Sequence, residues 1–221
     1  MKRFLVAFLF LFANLPSALA QVAEDLPFAR EINEFKRQDS LQFPKPNSIV
    51  FVGSSSFNFW KTLRQDFPGY PVINRGFGGS ELVHAIQYAD QIILPYKPKQ
   101  VVIYSGENDL AVGKVPADSV KKRFVRLFNL LRAKFRTVNI LYVSIKPSPS
   151  RQHLMPEMVK ANALIFDFLK KQKRATFINI FPLMLDAQGN PRKELFVDDM
   201  LHMNASGYAI WIKEIKPHLK K

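Results

Sequence analysis

Cysteine is absent from this sequence, which excludes disulfide bonds, thiolate nucleophiles and cysteine-ligated metals together. Internal repeats and low-complexity tracts are absent as well, and no linker-like stretch divides the chain. Acidic residues are scarce relative to basic ones, 18 against 32, so the formal net charge is +14. No apolar run is long enough to span a bilayer core of about 30 Å as a helix. What is there is a chain of 221 residues, 48% hydrophobic and 13% aromatic. That is too apolar for disorder, and at this length roughly 70% of the unfolded surface can be buried in one core.

The first residues read differently from the rest. Met1-Lys2-Arg3 is a positive start, Phe4 to Phe12 an apolar run, and Ala18-Leu19-Ala20 a small-residue end. Those are the three parts of a secretory signal peptide, so residues 1–20 are expected to be removed and residues 21–221 to form a single domain. No cysteine follows the expected cleavage site to take a lipid anchor. The expectation is an exported protein without stable membrane insertion, bacterial and either periplasmic or secreted. Export also changes the meaning of the basic charge. Nucleic acid, the usual partner of such a balance in the cytosol, gives way to anionic envelope polymers. The cations are also spread out. Lys121, Lys122, Arg123, Arg126, Arg132 and Lys134 share one expected helix with Phe124, Phe128 and Phe135. That spacing suits a solvated face opposite a buried stripe.

Five short apolar runs alternate with longer segments of helical period. Ser48 to Val52, Val72 to Asn74, Gln100 to Tyr104, Asn139 to Ile145 and Thr176 to Ile180 are rich in Val, Ile, Phe and Tyr. They predict strands buried on both faces. Helices are expected over Leu26 to Ser40, Ser80 to Leu94 with Ser80 as N-cap, from Pro116 onward, Pro156 to Lys171, and Asn204 to Lys216. Strands alternating with helices imply right-handed crossovers and a parallel sheet, whose chemistry belongs at the carboxyl ends of the strands.

The polar residues cluster where that rule puts them. Gly53-Ser54-Ser55-Ser56 follows the first strand, Asn74 to Ser80 the second, Ser105-Gly106-Glu107-Asn108-Asp109 the third and Lys146-Pro147-Ser148 the fourth. Asp198-Asp199-Met200-Leu201-His202 precedes the last helix. A serine hydroxyl needs a base to become a nucleophile, and histidine is the usual one. Of the four histidines, only His202 follows a strand with acids close behind it. Asp199 or Asp198 could orient its ring. Charge developing on a carbonyl oxygen needs preorganised donors, for which the Ser55 and Gly79 N–H groups and the Asn108 amide are candidates. Phe57, Phe59 and Trp60 suit the core better than an acyl pocket. Lys146-Pro147-Ser148 suits a plain turn as well as a substrate contact.

This pattern resembles the SGNH hydrolases, also called GDSL esterases/lipases, across nearly the whole of residues 21–221. The Gly-Asp-Ser block is matched by Gly53-Ser54-Ser55, the second-block glycine by Gly79, Gly-x-Asn-Asp by Gly106-Glu107-Asn108-Asp109, and Asp-x-x-His by Asp199-Met200-Leu201-His202. The departure is Ser54, where the family has an aspartate that supports the turn. The resemblance implies a flavodoxin-like three-layer α/β/α sandwich with a five-stranded parallel sheet. It implies ester hydrolysis through an acyl-enzyme, with Ser55 as nucleophile, His202 as base and Asp199 as its partner. Ser55, Gly79 and Asn108 would form the oxyanion hole, with no metal or organic cofactor. Acetylated or short-chain esters, free or on polysaccharide, are the expected substrates. A non-catalytic carbohydrate-binding relative and an acyltransferase are the alternatives.

Overall fold

The computed structural model describes residues 26–221. The expected signal segment, residues 1–20, lies outside them. Strands β1 (Ile49–Gly53), β2 (Val72–Gly76), β3 (Gln100–Tyr104), β4 (Asn139–Val143) and β5 (Ala175–Ile178) form one five-stranded sheet in the order β2-β1-β3-β4-β5. Every pairing is parallel. This is the flavodoxin-like order, in which the order of strand addition reverses between β1 and β3 and opens a crevice at their carboxyl ends. Strand boundaries differ from the sequence expectation by up to two residues: β4 and β5 stop short of the apolar Ile145 and Ile180, while β2 runs on through Arg75 and Gly76.

Alternation along the strands divides the core into two layers. Val50, Val52, Val101, Ile103, Ile140 and Tyr142 face one layer. Helices α1 (Ala29–Leu41), α7 (Ala117–Lys134) and α8 (Met155–Leu169) cover that layer. Ile49, Phe51, Val102, Tyr104, Leu141 and Val143 face the other, covered by α9 (Ala205–Ile215) and the short α2 (Ser55–Asn58) and α3 (Leu63–Asp66). As expected, Val120, Phe124, Leu127, Phe128 and Leu131 form the buried stripe of α7. None of the described helices is long and apolar enough to cross a membrane.

Two local expectations are corrected. Ser80 to Leu94 is not one helix: it divides into α4 (Leu82–Gln87) and α5 (Ala89–Ile92) at Tyr88. The N-cap of α4 is Glu81, whose N–H donates to His84 Nδ1 at 3.0 Å in a capping box, and burial pulls the His84 imidazole below its ordinary value. Ser80 is fully buried, its hydroxyl donating to the Gly53 and Phe77 carbonyls at 3.1 and 2.9 Å. The basic face of α7 is also not wholly solvated. Arg123 Nη1 bonds Glu81 at 2.6 Å and Asp109 at 2.7 Å, and Arg132 donates to the Val138 carbonyl at 2.6 Å. Arg123 thereby ties α7 to the loops that carry the polar strand ends.

The turn after β1 requires glycine. Gly53 has φ 147, and a Cβ there would collide with the Tyr104 carbonyl of β3. Gly53→Ala is therefore expected to lower the unfolding free energy by about 2 kcal/mol or more in urea titration. On the opposite layer, the fully buried Trp211 packs its ring against Phe57 at 5.9 Å and Tyr104 at 4.7 Å between centroids. Trp211→Ala is expected to cost about 3–5 kcal/mol by the same measurement.

Candidate active site

The site is built from loops at the carboxyl ends of β1, β2, β3 and β4 and from the loop before α9. After Gly53 the chain turns at once into α2. The turn is held by main chain: Ser54 N–H donates to the Tyr104 carbonyl at 3.1 Å, and the Ser54 carbonyl accepts from Phe57 and Asn58. Among the adjacent serines, Ser54 and Ser56 are buried at 2% exposure, while Ser55 is partly open. Beneath this turn, Asn74 Nδ2 donates to the Phe57 carbonyl at 2.6 Å, so β2 supports α2 from below.

The loop before α9 presents its acid and histidine through a tight turn. Met200, in the left-handed region at φ 55, reverses the chain, and Phe196 and Met203 form an antiparallel bridge across its base. One oxygen of Asp199 accepts the Leu201 and His202 N–H groups at 2.8 and 2.9 Å. Its other oxygen meets His202 Nδ1 at 2.5 Å. Burial opposes the Asp199 charge, but these backbone donors and the imidazole outweigh it and hold the carboxyl below its ordinary value. Asp198 is exposed and makes no such contact. Across the crevice, His202 Nε2 lies 2.9 Å from Ser55 Oγ, although 147 residues separate the two. Phe59, 48% exposed, packs edge-on against the imidazole at 4.6 Å, while Phe57 and Trp60 are core.

The other two residues expected as oxyanion donors stand on separate segments. Gly79 adopts φ 78 and is exposed. Asn108 stands in α6 (Glu107–Ala111), 5% exposed, and its Nδ2 donates to the Ser80 carbonyl at 3.0 Å. Ser80 is in turn bonded to Gly53, so the Gly79 loop, the β1 turn and Asn108 are locked to one another. Asp109 takes no part at the crevice: its carboxylate accepts from Leu82 N–H at 3.0 Å and from Arg123, and burial pushes its carboxyl up.

The residues that sequence reasoning missed lie under and beside Asn108. Lys146, expected in a turn or against substrate, is instead fully buried, and its ammonium bonds both oxygens of Glu107 at 2.9 and 3.1 Å. Tyr104 donates to the same carboxylate at 2.5 Å. Burial pushes the Glu107 carboxyl up, yet Lys146 and Arg151 together hold it below its ordinary value. Arg151 also reaches the site, its Nη1 donating to Asn108 Oδ1 at 3.0 Å. A lysine after a strand and an arginine in a loop carry no signal of this in sequence, since all the contacts are long-range.

The GDSL-like Lipase/Acylhydrolase family model matches residues 47–210. A search of curated proteins gives no match. Among solved structures, the chain is similar to a GDSL-like lipase from Bacteroides thetaiotaomicron, with 20% identity over 85% of this chain and 96% of that one and a TM-score of 0.72. It is similar to a catalytic mutant of an acetylxylan esterase from Geobacillus stearothermophilus, with 13% identity over 77% and 93% of the two chains and a TM-score of 0.62. A carbohydrate esterase family 3 protein from Talaromyces cellulolyticus gives 17% identity over 77% and 95% and a TM-score of 0.60. At these identities the likeness is one of fold. The family match covers most of the chain and takes in every strand and loop of the crevice, and by it the protein belongs to the GDSL-like lipase/acylhydrolase family.

Proposed function

We propose that the protein is a serine ester hydrolase in which Ser55 is the nucleophile, His202 the general base and Asp199 its orienting partner. The observation that carries this reading is the continuous hydrogen-bonded path from Ser55 Oγ through the imidazole to Asp199, with contacts of 2.9 and 2.5 Å. His202 Nε2 takes the hydroxyl proton as Ser55 Oγ bonds to the ester carbonyl carbon. Asp199 fixes the ring with Nδ1 protonated and stabilises the imidazolium that forms. The Ser55 and Gly79 N–H groups and the second N–H of Asn108 Nδ2 receive the negative oxygen. Collapse of the tetrahedral intermediate breaks the bond to the alcohol, which leaves with the proton held by His202. Water, activated by the same histidine, then frees the acid and regenerates Ser55.

Two features support an extracytoplasmic ester of a small acyl group. Residues 1–20 have the pattern of an export signal. Structural neighbours include an acetylxylan esterase and a carbohydrate esterase, which favours acetyl or short-chain groups carried on carbohydrate.

Ser55→Ala is expected to abolish hydrolysis of p-nitrophenyl acetate while leaving the melting temperature near that of the parent. Wild-type turnover by this variant would overturn the assignment. Asn108→Ala is expected to lower kcat by about 10²–10³ in the same assay, and an unchanged kcat would remove Asn108 from the oxyanion hole.

A further inference from the structure

Arg151 is not needed for the steps above, yet it stands one amide group from the proposed oxyanion donor. Its Nη1 donates to Asn108 Oδ1 at 3.0 Å and lies 3.2 Å from Glu107 Oε1. Glu107, however, is already bonded through both oxygens to the ammonium of Lys146, at 2.9 and 3.1 Å. One buried carboxylate thus serves two cations, with Asp199 near Lys146 as the other anion, and of the two cations Arg151 is the one left partly open to an added anion. Only Nη1 of the guanidinium is engaged among the described residues. The side chain is 16% exposed and lines a cleft of about 690 Å³.

The walls of that cleft fit the same conclusion. Lys114 and His153 add basic groups, and Leu110, Val115 and Leu154 supply an apolar side. Its one acid, Glu157, accepts the Ala117 N–H at 2.7 Å. The loop that carries Arg151 is fixed rather than loose: Ser150 donates through its N–H and its hydroxyl to the Met200 carbonyl at 3.1 and 3.0 Å. Met200 lies between Asp199 and His202, so this short segment braces the acid–histidine loop and Asn108 at once.

Resting on the hydrolase reading, we infer that Arg151 and the cleft beside it form a subsite for a carboxylate carried by the substrate, as on an acylated acidic sugar. A guanidinium with unused N–H donors is suited to a planar carboxylate, which it can grip through two parallel bonds. In a partly buried cleft the attraction is screened less than at an open surface.

The test compares two matched pairs of esters. In one pair the carboxylate is on the alcohol side, as 4-acetoxybenzoate against its neutral amide. In the other it is on the acyl side, as the p-nitrophenyl hemiester of succinate against its neutral amide. The parent enzyme is expected to favour the carboxylate in at least one pair by about tenfold or more in kcat/KM, a difference of about 1.4 kcal/mol. Which pair responds identifies the side of the ester that faces Arg151. Arg151→Gln should bring that ratio to near one, and Arg151→Lys should keep part of it. Because Arg151 also holds Asn108, the variants are expected to slow neutral esters too, so the ratio is the deciding quantity. Equal losses on charged and neutral esters would overturn the subsite and leave Arg151 as a positioning residue for Asn108. Ser55-dependent hydrolysis of neutral esters with no carboxylate preference in either pair would overturn the subsite and leave the hydrolase standing. Absence of any Ser55-dependent hydrolysis would overturn both.

Discussion

The packing of α9 on the sheet face of β1 and β3 is the constraint on which the crevice depends. His202 lies on an irregular loop, and its partner Asp199 has a side chain 47% exposed, so burial alone does not hold the pair. What places them is the helix that follows. Asn204 caps its first turn by accepting from the Ser206 and Gly207 N–H groups, Trp211 packs on Phe57 and Tyr104, and Tyr208 donates its hydroxyl to the Ser56 carbonyl at 2.8 Å. That last bond runs to the residue beside Ser55. The same apolar layer therefore fixes both ends of the Ser55–His202 contact, and stability of the core and geometry at the crevice are one problem there.

On the other side of the crevice the constraint is electrostatic. Glu107, Lys146 and Tyr104 are buried charged and polar groups whose desolvation is offset because Lys146 and Tyr104 both bond the Glu107 carboxylate. Removing one partner would leave an unpaired charge under Asn108. The arrangement joins β3, β4 and the loop bearing Arg151, so Asn108 is held by a network more specific than apolar packing alone would be. Asp109 and Arg123 serve the neighbouring loops in the same way, joining α4, α6 and α7.

Much of this was legible in the sequence, for a physical reason. A doubly wound sheet sends its chemistry to strand ends, and short runs such as Gln100 to Tyr104 mark those ends with glycine, serine and asparagine following directly. The choice of Asp199 over Asp198 came from the Asp-x-x-His resemblance alone, because it depends on the left-handed turn at Met200, which apolar patterning does not encode. The choice of Ser55 among three adjacent serines could not be made from periodicity either, since one turn of helix decides which hydroxyl is exposed. The break at Tyr88 was hidden because apolar residues keep helical spacing across it. The buried role of Lys146, and Arg151 altogether, were not legible because their partners lie about 40 residues away in the chain, at separations of 39 and 43. Basic residues without a nearby acid read as surface.

The central claim is that an early hydroxyl is activated by a late imidazole. Reaction with a serine-directed phosphonate, followed by peptide mass mapping, tests it most directly. One adduct is expected, on Ser55, and its formation should be largely lost in His202→Ala. An adduct on another serine, or labelling of Ser55 at an unchanged rate without His202, would contradict the account.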